Sequence, residues 1–79
     1  MRAKWVEAAR FHAISGSGAR DARDWFVLEK LGTHRTAMWM DEGMGTFTVD
    51  DRTFRIWIGG LNSDWWVVEE LIEPRSKNA

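Results

Sequence analysis

The sequence predicts an α+β fold: an antiparallel sheet of four or five strands covered on one face by a helix over residues 19–31, with a small all-β barrel as the alternative. Three observations carry this reading. The stretch from Gly45 to Gly60 places two runs rich in β-branched and aromatic residues around Asp50-Asp51 and bounds them with glycines, the sequence form of a β-hairpin. The runs at 4–14, 36–40 and 65–72 read as further strands. Residues 19–31 carry helix start and stop signals at their two ends.

Taken in order, Lys4 to Ile14 contains good helix formers but no helical stripe, since Trp5, Phe11 and Ile14 point in widely different directions on a helical wheel. Period two fits better. It puts Trp5, Ala9, Phe11 and Ala13 on one strand face, with Glu7 as the polar interruption. Ser15-Gly16-Ser17-Gly18 is a short flexible connection. From Ala19 to Leu31 a helix is expected: Ser17 can cap it, Asp21 lies in the first turn where the dipole favours an acid, and Gly32 follows the last turn. Ala22, Trp25, Phe26 and Leu28 are its candidates for packing on the sheet; the rival reading is a strand from Trp25 to Leu31 in an all-β chain.

Thr36 to Met40 reads as a short strand with Met38 and Met40 on one face and Trp39 on the other, and Asp41 to Gly45 as the turn into the hairpin. With Asp50 and Asp51 as turn residues, Phe47 lies opposite Phe54, and Phe47, Val49, Phe54, Ile56 and Ile58 line up towards the core. The other face then carries Thr46, Thr48, Thr53, Arg55 and Trp57, and is the expected contact surface. Asp-Asp lacks the glycine that a type I′ turn prefers, so a longer loop with altered cross-strand pairs is the competing arrangement. Gly59 to Asp64 is a second loop. The run Trp65 to Ile72 is apolar on both sides at its start, which suits a strand buried between a helix and another surface; as a helix from Ser63 it would set Glu69 and Glu70 at the negative end of the dipole. Pro74 ends it, and 74–79 is expected to be a flexible tail.

Seventy-nine residues make a single small domain over 1–79. A chain this short buries only about 60% of its extended surface, so every large side chain counts. Six tryptophans and four phenylalanines exceed what so small an interior easily hides, so some of the indoles should be partly exposed. The absence of cysteine excludes disulfides and thiolate metal sites. No apolar run approaches the roughly 20 residues that span a membrane, and the N-terminus shows no signal-peptide core. A cytoplasmic protein that does not engage membrane is the expectation.

Eleven basic against twelve acidic residues give a net charge of −1, unlike the strong basic field of usual nucleic-acid binders. Arg20, Arg23, Arg35, Arg52 and Arg55 precede an acidic closing segment with Asp64, Glu69, Glu70 and Glu73, a distribution that solvated surface charge explains. His12 and His34 lack a second ligand at a metal-binding spacing, and Asp41-Glu42 and Asp50-Asp51 fall in expected turns. Ser15 and Ser17 fit neither a nucleophile elbow nor a phosphate loop. The expectation is therefore a protein that is not an enzyme and that uses no cofactor or metal.

Two clusters suggest contact chemistry instead. Arg52, Arg55 and Trp57 resemble the basic-aromatic sheet surfaces that stack and clamp single-stranded nucleic acid, an ordinary surface cation-π contact being the plainer account. Met38, Trp39, Met40 and Met44 suit either an adaptable core or an adaptable protein-binding surface. Arg52, Arg55, Trp57, Trp39 and Trp65 are the candidate partner-binding residues, and non-catalytic protein binding through Trp and Arg anchors is the leading function. Single-stranded nucleic-acid binding is the alternative. In size, aromatic content and absence of motifs the chain resembles the small inhibitors that phages encode against bacterial defences, the anti-CRISPR proteins among them. That resemblance implies an inhibitor that binds a CRISPR effector complex and blocks its DNA-binding surface.

Overall fold

A computed structural model describes residues 3–13, 18–60 and 64–73. The expected Ser17 cap, the loop residues 61–63 and the tail 74–79 lie outside them. Five strands, β1 (Lys4–His12), β2 (Met38–Asp41), β3 (Thr46–Val49), β4 (Arg52–Gly59) and β5 (Trp65–Ile72), form one antiparallel sheet in the order β1-β5-β4-β3-β2. The last four run as a meander and β1 joins outside β5, so the sheet is open and the barrel alternative does not hold. Helix α1 (Ala19–Trp25), continued by a π-helical turn over Phe26–Lys30, covers one face. No helix among the described residues is long and apolar enough to cross a membrane.

The hairpin has the tight form. Phe47 pairs with Phe54 and Val49 with Arg52, leaving Asp50 and Asp51 as the turn; Asp50 takes φ 56°, a left-handed value that Asp tolerates better than most residues. Phe47 and Phe54 stack across the strands with ring centroids 5.3 Å apart, and Phe26 from the helix meets them edge-on at 6.3 and 5.2 Å. All three rings are essentially inaccessible to solvent, and Ala22, Val27, Val49, Ile56, Trp66 and Val68 complete the layer between helix and sheet.

The helix buries Ala22, Arg23, Phe26 and Val27, the i, i+1, i+4, i+5 spacing of an amphipathic stripe. Trp25 and Leu28, two of the residues expected to pack, fall outside that stripe and are exposed. Trp25 instead lies over Phe11 on the flank, with ring centroids 4.6 Å apart. The wider last turn, in which the Leu31 N–H donates to the Phe26 carbonyl at 3.2 Å, ends the helix ahead of Gly32, whose φ of 66° turns the chain away.

One burial and one face assignment read from alternation do not hold. Ile58 shares the helix-facing side with Phe54 and Ile56 but is exposed, because β3 pairs only as far as Arg55 and leaves the end of β4 with β5 as its one paired strand. In β1 the pairing steps from Glu7 opposite Glu69 to Ala9 opposite Val68, so Ala8 forms a β-bulge. Ala9, Phe11 and Ala13 pack on the helix side, while Trp5 is turned to the opposite face with Glu7. Met40 is likewise the unpaired residue of a bulge between Trp39 and Asp41.

Gly45 closes the short 3₁₀ turn Glu42–Met44 at φ 69°, and the Ile56 N–H donates to its carbonyl at 2.9 Å. A Cβ at Gly45 would run into the Ile56 carbonyl oxygen, whereas one at Gly32 would meet open space. Gly32→Ala should therefore cost only the left-handed penalty, about 1–2 kcal/mol, and Gly45→Ala clearly more. Phe47→Ala and Phe54→Ala should each cost about 3–5 kcal/mol as truncations of buried aromatics. Urea unfolding midpoints check both expectations, and Phe variants close to the unmodified chain would show that the rings do not form the core.

Candidate protein-binding face

The sheet face away from the helix has no cover among the described residues, and its side chains follow from the register. Arg55 pairs across the strands with Glu69, and Trp57 with Val67; on the next strand Glu7 lies opposite Glu69 and Arg10 opposite Val67. The Ala8 bulge makes this possible, because it brings Glu7 and Arg10, three residues apart, to the same face. Glu7 and Glu69 are thus like charges directly opposite, a destabilising pair taken alone. Each is answered by a cation: Arg10 Nη2 lies 2.9 Å from Glu7 Oε1, and Arg55 Nη2 lies 2.6 Å from Glu69 Oε1.

Arg55 is held from three strands. Its Nε donates to Glu69 Oε1 at 2.8 Å, and its guanidinium carbon sits 4.3 Å from the centroid of Trp5 and 5.2 Å from that of Trp57. The Trp57 indole extends across Gly59, where even a Cβ would lie 3.6 Å from its Nε1, and remains 38% exposed. Met44 and Thr46 join Trp5, Arg55 and Trp57 around a shallow hollow. Met38, opposite Thr48, and Met44 are 66% and 73% exposed. At the other end of the face His12 stacks on Trp65 at 3.9 Å. The arrangement offers aromatic and thioether surface around cations that are already neutralised.

Of the five residues singled out in the sequence, Arg55, Trp57 and Trp65 share this face and two do not. Arg52 has the parity of Phe54 and lies on the helix side, its guanidinium 5.2 Å over the Phe54 ring. It makes a two-pronged pair with Glu70, Nε to Oε2 and Nη2 to Oε1, each at 2.8 Å. Trp39 also points to the helix side, edge-on to Phe47 at 5.9 Å with the Arg23 guanidinium 4.7 Å from its ring. It belongs with the core. Grouping Arg52 with Arg55 fails because β4 pairs without a bulge, and on such a strand two residues share a face only when their separation is even.

No protein-family model matches this chain, and neither a curated protein nor a solved structure matches it significantly. The face must be read from its chemistry. Among the described residues no three His, Asp or Glu side chains gather as metal ligands do. Asp41 is occupied as a cap, its Oδ1 accepting from the Met44 N–H at 3.3 Å, and Asp50 and Asp51 form the hairpin turn. Trp5 and Glu69 are the members of the face that alternation does not reveal. Trp5 depends on the bulge, and Glu69 on which strand lies next to β4.

The Arg52–Glu70 pair supplies a pH test of the sheet's acidic end. The hydrogen bond from Arg52 holds the Glu70 carboxyl below its ordinary value of 4.5, and the hydrogen bond from Glu70 raises the Arg52 guanidinium above its own. A depressed carboxyl contributes its stability in full above 4.5 and loses it as pH falls through the folded-state value. Arg52 is about half exposed, which limits the pair to about 1 kcal/mol. Glu70→Gln should therefore lower the urea midpoint by that equivalent at neutral pH, and the gap to the unmodified chain should close in acid below 4.5. A gap that stays constant with pH would assign the loss to packing instead.

Proposed function

We propose that this chain is a non-catalytic protein-binding module that engages its partner through the open face of the sheet, with Trp57 as the anchor. The supporting observation is the pairing of every described arginine on that face with a carboxylate, Arg55 with Glu69 and Arg10 with Glu7, beside apolar groups that stay exposed. A nucleic-acid surface needs cations whose charge is available to phosphate, and here a phosphate would first have to displace a glutamate. A protein surface needs apolar side chains that can be desolvated, and Trp57 as a rigid anchor beside the adaptable Met38 and Met44 meets that need.

The narrower form of the proposal is an inhibitor seated on a larger assembly such as a CRISPR effector complex, where it blocks the DNA-binding surface. Size and aromatic content support that form, and the broader reading stands without it. Adding the purified protein to a CRISPR effector and measuring target-DNA binding separates the two: undiminished DNA binding sets the inhibitor form aside.

The broader reading has its own test. For a captured protein partner, Trp57→Ala should weaken binding by about 2 kcal/mol or more with shallow salt dependence. With labelled single-stranded oligonucleotides, fluorescence anisotropy should show no binding at physiological salt. Micromolar oligonucleotide binding that weakens in Arg55→Ala and falls steeply with salt would reverse the assignment in favour of nucleic acid.

A further inference from the structure

The open sheet has two edges, and they differ. β2 offers four residues interrupted by the Met40 bulge, whereas β1 offers nine residues with no strand paired to its outer side among the described residues. A long unpaired edge is a template for another strand, and natural edges are commonly guarded by bulges and charges. β1 has both features, a bulge at Ala8 and the charged Lys4, Glu7 and Arg10. These charges differ from a guard in one respect: they are complementary to themselves.

The geometry points to a second copy of this chain as the occupant of the β1 edge, paired antiparallel about a two-fold axis between Ala8 and Ala9. Because the bulge sets Trp5, Glu7, Arg10 and His12 on one face, this register keeps that face on the same side in both copies. It lays Glu7 opposite Arg10 of the second copy, and Arg10 opposite its Glu7. Trp5 then faces His12, and on the helix side Val6, now 42% exposed, faces Phe11. Registers centred on Glu7 or on Arg10 would instead set like charges against each other. The pairing also relieves an imbalance within each chain, since Glu7 lies opposite Glu69 and gains a second cation beside it. The product is a continuous ten-stranded sheet, five strands from each copy, whose open face carries two Trp5–Arg55–Trp57 clusters related by the axis. This assembly does not depend on the binding role of Trp57.

Sedimentation of the full chain from micromolar to millimolar concentration tests it. The expected result is a reversible monomer–dimer equilibrium. Glu7→Arg and Arg10→Glu should each weaken it by about tenfold or more, because each places like charges opposite one another at both ends of the two-fold pairing. The double variant E7R/R10E should recover dimerisation to near the original strength. Both side chains are about half exposed, so circular dichroism should report an intact fold in every variant. A chain that stays monomeric throughout overturns the proposal, whether or not another protein uses the edge. So do single variants that dimerise as well as the original chain, or a double variant that fails to recover. Trp57→Ala should leave the equilibrium unchanged, which separates failure here from failure of the binding role.

Discussion

Phe26, seated edge-on against the stacked Phe47 and Phe54, is the contact on which the two layers depend. A helix of seven residues with a five-residue π-helical extension is too short to persist alone, and a lone hairpin is marginal in water. Each supplies the apolar surface that the other lacks. The three rings also fix position, since offset and edge-on geometries constrain where the helix can lie. Ala22, small enough for a close approach, and Val27 are buried in the same cluster. Everything on the opposite face inherits its placement from this docking, because it decides which side of the sheet is core.

The charges of the open face follow a different logic. Four charged groups on three adjacent strands, Glu7, Arg10, Glu69 and Arg55, sit where a sheet commonly carries neutral polar residues. Two glutamates opposite each other would push β1 and β5 apart, and each is balanced by one arginine. Arg55 does more than balance charge. In contact with both Trp5 and Trp57, it links the edge strand to the middle of the sheet across β5. The arginines are thereby spent on the protein itself, and what remains available to a partner is the aromatic and methionine surface.

A single inserted residue connects these themes. Without the Ala8 bulge, Glu7 and Arg10 would lie on opposite faces and could not pair, and either Trp5 or Phe11 would leave its layer. With it, Phe11 packs beneath Trp25 on the helix side while Trp5 stacks on Arg55 on the other. The same insertion makes the outer edge of β1 self-complementary. On the opposite edge the Met40 bulge interrupts the pairing of β2 with β3.

Much of the architecture was legible because it rests on local rules. Period-two runs at 46–49 and 52–59, the Asp50-Asp51 turn and the Phe47–Phe54 pair follow from alternation within one hairpin, and the helix from Asp21 in its first turn and the stop at Gly32. The antiparallel sheet and a strand within 4–14 were readable on the same grounds, whereas alternation left open which of the indoles would be exposed. What the sequence could not disclose depends on neighbours distant along the chain. Placing β1 outside β5 set Glu7 beside Glu69, and the docking of the helix on Ala22, Phe26 and Val27 left Trp25 and Leu28 outside the core. A bulge shifts every later side chain to the other face, yet leaves no mark in composition, because only the partner strand shows that a residue is unpaired. The sequence by itself thus determined the elements and the core of the hairpin, since neighbouring residues alternate by covalent geometry. Only the tertiary structure decided that Trp5 joins Arg55 and Trp57 while Arg52 and Trp39 do not, because membership of a face depends on register against strands and a helix far away in the chain.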